Sequence, residues 1–332
     1  MSAPSSCPGR AVALALAAAT MIAGIVTTGA PAYAAGAPTI VGMPSAGIGA
    51  AGSTLGGTMV LINGTNFSTV NLATPSSVTF GAVDAISFEV LSSSQIRAVA
   101  PPNPSDGLVV DVRITNPSGT SGMTVADRFT YHVPSTVTVA DGTLLHPTAG
   151  GQLPVTVNFV VPSAADVATQ NLTATIGGNP APVTWVSTNA IAGTSVLNLT
   201  IPVGVPSPSA TPVVVYRDTV AGSPDDTHAT YAAVITSLSV TSGPAAGSPT
   251  VTVDVTGKGL AGSDGWKFGT ADASCAPTSA ALADTSWTCI SVPASTISEG
   301  TDHVGPVVVS FTSATGPFGL TAAGVYTYTN LC

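Results

Sequence analysis

Charged residues are scarce in this chain, and basic residues are the scarcest. Only 7% of its 332 residues are charged, and seven basic residues stand against sixteen acidic ones, for a formal net charge of −9 at pH 7. A negatively charged protein repels phosphate backbones, which argues against nucleic acid as a partner. Surface helices use Glu, Lys and Arg heavily, so this composition favours β-strands with hydroxyl-bearing outer faces.

The sequence also lacks the patterns that catalysis and metal binding use. It contains no G-x-S-x-G, H-E-x-x-H, C-x-x-C or phosphate-binding loop. No two histidines have metal-ligand spacing: they are His132, His146, His228 and His303. We therefore expect no enzymatic activity, no cofactor and no metal site. The densest polar cluster, Asp225 to His228, is interpreted as a solvated loop in preference to a cation site.

Apart from one segment at its start, the chain has no long apolar run. That segment has Arg10, an uncharged apolar stretch from Ala11 to about Val26, and small residues ending Ala32-Tyr33-Ala34. A charged region, an apolar region and an A-x-A site in this order are typical of a secretory signal peptide. A membrane anchor needs about 20 apolar residues. The sequence predicts a signal peptide over residues 1–34 and a secreted protein without a transmembrane segment.

Cysteine is rare as well, with four in the chain, of which three follow the predicted leader. Cys275 and Cys289 lie fourteen residues apart, and in an oxidising compartment we predict a disulfide between them. Cys332 is then left over. Two interpretations stay open for it, a covalent dimer through an intermolecular bridge or a free terminal thiol, of which we favour the second.

Three short patterns recur in the same order about every hundred residues. A glycine turn comes first, then a strand-like run that ends in proline, then a run that closes on Thr-Tyr. The Thr-Tyr pairs are 100 and 97 residues apart. The glycines, prolines and closing tyrosines are Gly56-Gly57, Gly150-Gly151 and Gly247; Pro101, Pro202 and Pro293; Tyr131, Tyr231 and Tyr328. This periodicity predicts three copies of one β-sandwich unit.

Strands are predicted within the first unit from its β-branched and aromatic runs. They are Thr58 to Ile62, Ser77 to Phe80, Ala85 to Leu91, Gln95 to Ala100, Val109 to Thr115 and Arg128 to His132. No window of the length of a typical helix shows helical spacing after the leader. The segments between units, His132 to Ser135 and Ala232 to Val234, are short, which predicts a restricted orientation of adjacent units.

The first unit resembles the IPT/TIG immunoglobulin-like family, part of the early-set sandwiches. The similarity rests on GGTMVLINGTNF (Gly56 to Phe67), Val78-Thr79-Phe80-Gly81, VVDVRITNPSG (Val109 to Gly119) and Phe129-Thr130-Tyr131. The third unit is similar through SGPAAGSPTVTVDVTGKGL (Ser242 to Leu260) but departs by a cysteine-bearing insertion between Ser274 and Ile290. The second unit is degenerate. Because Asn-Gly-Thr-Asn tolerates positive φ, we expect Asn63 to Asn66 to turn the chain and return Phe67 to the core.

The resemblance implies three tandem immunoglobulin-like domains over residues 35–132, 133–232 and 233–332 of a secreted, bacterial protein. Modules of this family contact proteins or glycans at cell surfaces, or act as spacers. We therefore expect a non-catalytic extracellular binding or adhesion protein, with a structural spacer of an envelope assembly or a carbohydrate-binding accessory protein as alternatives. Trp185 and Trp266 are the candidate ligand-facing aromatics, whereas Trp287 is expected to pack in a core near the disulfide.

Overall fold

The structure is a computed structural model that describes residues 36–44, 50–148, 150–298 and 303–330. The predicted leader and Cys332 lie outside the described residues. Within these ranges the chain forms thirty strands and a single α-helix, α1 (Ala165–Thr169). The fold is all β, as the composition predicts, and the strands fall into three sandwiches of ten.

The first sandwich contains β1 to β10, and five of the six strands predicted from sequence fall within two residues of observed ones at both ends. One sheet has the order β1-β3-β7-β6 and the other β2-β10-β8-β4-β5, with β9 added to β8. The strands are β1 (Thr39–Gly42), β2 (Ala50–Ser53), β3 (Met59–Thr65), β4 (Val78–Phe80), β5 (Val83–Asp84), β6 (Ser87–Ser92), β7 (Gln95–Val99), β8 (Val109–Asn116), β9 (Gly119–Thr120) and β10 (Arg128–His132).

The second sandwich contains β11 to β20, with α1 between its third and fourth strands. Its sheets have the orders β11-β13-β17-β16, β15-β14-β18-β19 and β12-β20. The strands are β11 (Val137–Thr138), β12 (Thr143–Leu145), β13 (Gln152–Val157), β14 (Leu172–Ile176), β15 (Asn179–Pro180), β16 (Val183–Asn189), β17 (Thr194–Thr200), β18 (Val213–Arg217), β19 (Val220–Ala221) and β20 (Ala229–Tyr231).

The third sandwich contains β21 to β30. Its sheets have the orders β26-β27-β23-β21-β29 and β22-β30-β28-β24-β25. The strands are β21 (Ala233–Leu238), β22 (Ser242–Pro244), β23 (Val253–Lys258), β24 (Asp264–Phe268), β25 (Ala271–Asp272), β26 (Cys275–Pro277), β27 (Ser286–Cys289), β28 (Gly305–Thr312), β29 (Phe318–Gly319) and β30 (Val325–Thr329).

The same pairing recurs in all three sandwiches. The first strand of each pairs antiparallel with the third, as β1 with β3, β11 with β13 and β21 with β23. The second strand pairs in parallel with the last, as β2 with β10, β12 with β20 and β22 with β30. Each sandwich also has its own hydrophobic core, because the buried residues form three separate clusters. The protein is thus a tandem array of immunoglobulin-like sandwiches.

The residues that define the sequence repeat contact one another within each sandwich. Each closing tyrosine donates its hydroxyl to the carbonyl oxygen of the proline that ends the earlier run: Tyr131 to Pro101 at 3.0 Å, Tyr231 to Pro202 at 2.9 Å and Tyr328 to Pro293 at 2.8 Å. The glycine turn donates a backbone N–H to the residue before that proline: Gly57 to Ala100, Gly150 to Ile201 and Ser248 to Val292. The periodic residues therefore form one structural element, repeated three times.

Only the last residue of the Asn-Gly-Thr-Asn segment turns the chain, and the prediction of a turn from Asn63 is wrong, because Asn63, Gly64 and Thr65 continue strand β3. Asn66 has a φ of 62° and Phe67 is fully buried. Gly64, in contrast, does not have a positive φ. A side chain there would collide with the Thr39 carbonyl oxygen and the Phe67 ring. Gly64 is required because the backbone of β1 and the returning phenylalanine approach it closely.

Ionic contacts connect the first sandwich to the second. The Asp106 carboxylate accepts hydrogen bonds from the Val133 N–H at 2.8 Å and from Arg217 at 3.1 and 3.2 Å. His132 Nε2 lies 3.0 Å from Oδ2 of Asp218. Burial raises the pKa of Asp106, but its hydrogen bonds to Val133 and Arg217 outweigh burial and hold that pKa below its ordinary value. The lowered pKa favours the ionised form of Asp106, which pairs with Arg217 across the junction.

Close backbone packing connects the second sandwich to the third. Ala232 alone separates β20 from β21, and it is fully buried. The Ala232 N–H donates to the Leu145 carbonyl of the second sandwich at 2.9 Å, and the next N–H, of Ala233, donates to the Pro317 carbonyl of the third at 2.7 Å. A side chain at Gly316 would lie 2.8 Å from the carbonyl oxygen of Ser207, which belongs to the second sandwich. The two sandwiches therefore meet along buried backbone with no flexible linker between them.

Candidate functional site

Trp185 lies half-buried on β16, the edge strand of one sheet of the second sandwich. Its indole N–H donates to the Val161 carbonyl at 2.8 Å and to the Thr188 hydroxyl at 3.1 Å. Thr188 itself donates to the same carbonyl. Because the indole N–H bonds to Val161 and Thr188, and Thr188 bonds to Val161 as well, the ring is held in one orientation.

A surface groove of about 340 Å³ lies beside this ring. Helix α1 forms one wall through Val167 and Ala168, and Leu172, Val183 and Trp185 contribute the others. The lining is mostly apolar, and the polar Asn171 and Thr184 complete it. The structure thus places Trp185 where a ligand can reach it.

Sequence analysis missed the helical wall of this groove. Ser163 and Asp166 have the spacing of a capping box, but Ala164 is the N-cap residue and no side chain caps the helix. The Ser163 hydroxyl donates to the Asp166 carboxylate at 2.6 Å, and the Asp166 N–H donates to the Ser163 carbonyl at 3.1 Å. The helix is too short to show apolar periodicity, which is why it was overlooked.

Trp266 is not the exposed aromatic that the sequence suggested. It is 3% exposed and lies in the third core, with ring centroids 4.6 Å from Phe311 and 5.3 Å from Trp287. The turn ends at Asp264, where β24 begins, so strand alternation turns Trp266 and Phe268 inward together. Trp266 therefore offers no open ring face on which a sugar can stack.

Cys275 and Cys289 are bonded to each other and lie directly opposite on β26 and β27. Trp287 is 6% exposed and shares the inward face with Cys289, as strand alternation predicts. Its N–H donates to the Ala283 carbonyl at 2.7 Å.

A second surface pocket, of about 520 Å³, lies between β24 and the disulfide-bonded β26. Ser263, Trp266 and Trp287 are its buried lining residues. Asp264 and Asp272 are exposed at its edge, and Cys275 forms part of one wall. This pocket lies within the cysteine-bearing part of the third sandwich.

Asp225 is a buried anchor within the Asp225 to His228 cluster, whereas Asp226 and Thr227 are exposed, as expected of a solvated loop, and His228 is half-buried. Asp225 is 6% exposed and accepts the Val139 N–H at 2.8 Å, and His228 Nδ1 lies 2.9 Å from both its oxygens. Burial raises the pKa of Asp225, but hydrogen bonds to Val139 and His228 outweigh burial and lower it overall. The hydrogen bond to Asp225 raises the pKa of His228. The cluster ties the last strand of the second sandwich to its first loop.

Among the described residues, no helix has both the length and the apolarity to cross a membrane. The same residues contain no group of three or more His, Cys, Asp or Glu side chains placed to hold a metal ion.

The strand order defines the class of this protein as tandem immunoglobulin-like sandwiches. The model of the IPT/TIG domain family matches residues 47–131, a range that contains β2 to β9 of the first sandwich. No curated protein sequence matches the chain.

Several solved structures are similar to the chain in fold alone. The extracellular region of plexin A4, domains 1 to 10, is 18% identical with a TM-score of 0.33, and the alignment covers 88% of this chain but only 24% of plexin. A Bacteroides ovatus glucan-utilization protein, SGBP-B, in complex with a mixed-linkage heptasaccharide, is 15% identical with a TM-score of 0.24, covering 89% of this chain and 70% of that one. A three-domain titin structure is 8% identical with a TM-score of 0.25, covering 88% and 96%.

Proposed function

We propose that the protein is secreted and acts, without catalysis, as a binding or adhesion protein at a cell surface. Its partner would be a protein or a glycan. Secretion is supported by the leader pattern of residues 1–34 and by the disulfide between Cys275 and Cys289, which requires an oxidising compartment. The bacterial origin that the family resemblance implies stays a prediction.

The observation that carries this proposal is the groove beside Trp185. The indole is fixed by its hydrogen bonds to Val161 and Thr188, yet it lines an open surface. A rigid aromatic ring in a mostly apolar groove gives large contact area at little entropic cost, which is how tryptophan serves at binding surfaces.

A structural spacer is the second candidate, and the two junctions favour it. Arg217 and Asp106 pair across the first junction, and Ala232 is buried in the second. Such contacts hold neighbouring sandwiches in a fixed relation, which a spacer requires. A binding protein also benefits from them, because they keep its contact surfaces at a set distance.

Two measurements separate the functions. One is binding of residues 35–332 to intact cells, and the other is binding of the same protein to a glycan array. We expect saturable binding that falls when Trp185 is replaced by Ala. Trp185→Phe is the intermediate variant, because it removes the N–H and part of the ring but keeps an aromatic side chain, and retained secondary structure in both variants excludes misfolding. If no cell surface, protein or glycan retains the protein in a saturable way, the spacer function is favoured and the binding proposal is wrong.

A further inference from the structure

Two residues that line the pocket beside the disulfide each have a buried polar atom without a hydrogen-bond partner among the described residues. Ser263 is 6% exposed and Trp266 is 3% exposed, and neither Ser263 Oγ nor Trp266 Nε1 has a hydrogen-bond partner among the described residues. The other two tryptophans differ, because the Trp185 and Trp287 N–H groups both donate to backbone carbonyls. Leaving a buried donor unpaired lowers stability, so each such atom calls for an explanation, and a bound ligand is one.

Both residues line the pocket of about 520 Å³ between β24 and β26. This volume lies within the roughly 300 to 1,000 Å³ typical of small-molecule sites. The exposed carboxylates of Asp264 and Asp272 stand at its edge, and Lys267 pairs with Asp272. The pocket thus combines two buried hydrogen-bonding groups with acidic acceptors and an indole-lined wall.

The chemistry of these groups selects the ligand. An indole N–H only donates, a carboxylate only accepts, and a serine hydroxyl does both. A ligand rich in hydroxyls satisfies all of them, because each hydroxyl donates one hydrogen bond and accepts others. The carboxylates disfavour an anionic ligand. Apolar lining from Trp287, Ala276 and Pro277 suits the C–H faces of a sugar ring.

We propose that this pocket binds a neutral saccharide, whose hydroxyls pair with Ser263, with the Trp266 N–H and with Asp264. The inference rests on the proposed binding function and names a ligand class and a site for it. Trp266 acts here through its N–H and not as a stacking platform, since Phe311 and Trp287 pack against its ring.

The disulfide explains how this pocket is built. Cys275 lines the pocket from β26, and its bond to Cys289 holds β26 against β27. The cysteine-bearing insertion, where the third unit departs from the family pattern, therefore supplies one wall of the site. Reduction of the disulfide should weaken saccharide binding.

The test uses residues 35–332, an array of neutral oligosaccharides of glucose, galactose and mannose, and calorimetric titration with those that bind. Ser263→Ala and Trp266→Phe each remove one unpaired group. We expect each to lower affinity on the order of threefold to tenfold, the loss of one hydrogen bond to the ligand. Because Ser263 Oγ has no protein partner to lose, Ser263→Ala should leave the unfolding temperature of the free protein unchanged or raised.

Three outcomes would overturn the inference. Saccharide binding that survives both substitutions but is lost in Trp185→Phe or Trp185→Ala would assign the ligand to the groove of the second sandwich and leave the proposed function standing. A drop in unfolding temperature for Ser263→Ala, with affinity unchanged, would show that its hydroxyl is paired through bound water alone. If the protein binds cells saturably but binds no saccharide, the pocket assignment is wrong and the proposed function still stands.

Discussion

The hydroxyl of Tyr131 donates a hydrogen bond of 3.0 Å to the carbonyl oxygen of Pro101, and both residues are buried. The bond joins the last strand of the first sandwich to the end of its strand β7, thirty residues earlier. The same bond occurs in the second and third sandwiches. It is therefore a tertiary contact that all three units of the repeat share.

Replacing Tyr131 by Phe should lower the free energy of unfolding by about 1 to 2 kcal/mol, because the buried Pro101 carbonyl loses its donor. Calorimetric unfolding of the whole protein measures the change. Tyr216→Phe is the control, since no described residue hydrogen-bonds its hydroxyl and its side chain is half-buried. Equal losses in the two variants would contradict a specific contribution from the bond.

The closing tyrosines should also make the protein sensitive to alkali. Burial raises the pKa of Tyr131 to about 12, and burial with the neighbouring Tyr326 raises that of Tyr328 to about 12, from 10.0. Their contribution to stability is full below pH 10 and is lost as the pH rises from 10 towards 12, because only the unfolded chain ionises there. Phenolate absorbance should appear later in the folded protein than in denaturant. Coincident titrations would refute this.

Because of the Asp225–His228 pair, the stability of the second sandwich should be highest at a pH between the pKa values of these two groups. The lowered pKa of Asp225 means that its contribution is lost as the pH falls from 3.8 through the folded-state value. The raised pKa of His228 means that its contribution is lost as the pH rises from 6.5 through the folded-state value. His228→Gln should remove the upper limb and weaken the lower one, because His228 also lowers the pKa of Asp225, whereas Asp225→Asn should remove both limbs. Unfolding measured against pH shows whether the two variants differ in this way.

The ionic junction should protect the segment between the first two sandwiches from proteases. Arg217→Gln removes the partner of Asp106, so we expect faster cleavage within residues 133–136, most clearly at low salt where ion pairs are strongest. Arg97→Gln is the matched control, because its partner Glu89 lies in the same sandwich and both side chains are largely exposed. Equal cleavage of the two variants would show that Arg217 does not hold the junction.

The disulfide should stabilise the third sandwich alone. Replacing Cys275 and Cys289 by Ser should lower its stability by about 3 kcal/mol, as expected for a loop of fourteen residues. Unfolding transitions of the other sandwiches should not move. Peptide mapping under non-reducing conditions checks the pairing, and a linkage from Cys332 to either cysteine would contradict it, whereas a Cys332–Cys332 peptide would establish the covalent dimer.

Sequence alone predicted the repeat because its residues are local and chemically distinctive. A tyrosine, a proline and a glycine recur at one period, and each has a role that few other residues can fill. Trp287 and Cys289 were placed on one inward face by strand alternation alone. The division into domains at residues 132 and 232 remains a prediction, which expression of the separate pieces would test.

Other features depend on contacts that the sequence does not display. Strand β2, Ala50–Ser53, has no β-branched residue and forms because β10 pairs with it in parallel. Trp266 follows a turn and was expected at the surface, but the start of β24 decides its direction. The pocket at Ser263 is distinguished by two buried atoms, Ser263 Oγ and Trp266 Nε1, that have no hydrogen-bond partner among the described residues, which only three-dimensional placement reveals.

The parallel pairing of the second and last strands also decides how the protein responds to tension. The chain enters each sandwich near one end of this pair and leaves from the opposite end of its last strand, as with β2 and β10. Pulling the two ends apart slides these strands along each other, so their hydrogen bonds are loaded in shear and must break together. The hydrogen bonds between the two strands cannot open one after another from one end. Each sandwich is therefore built to resist stretching along the direction in which the chain runs.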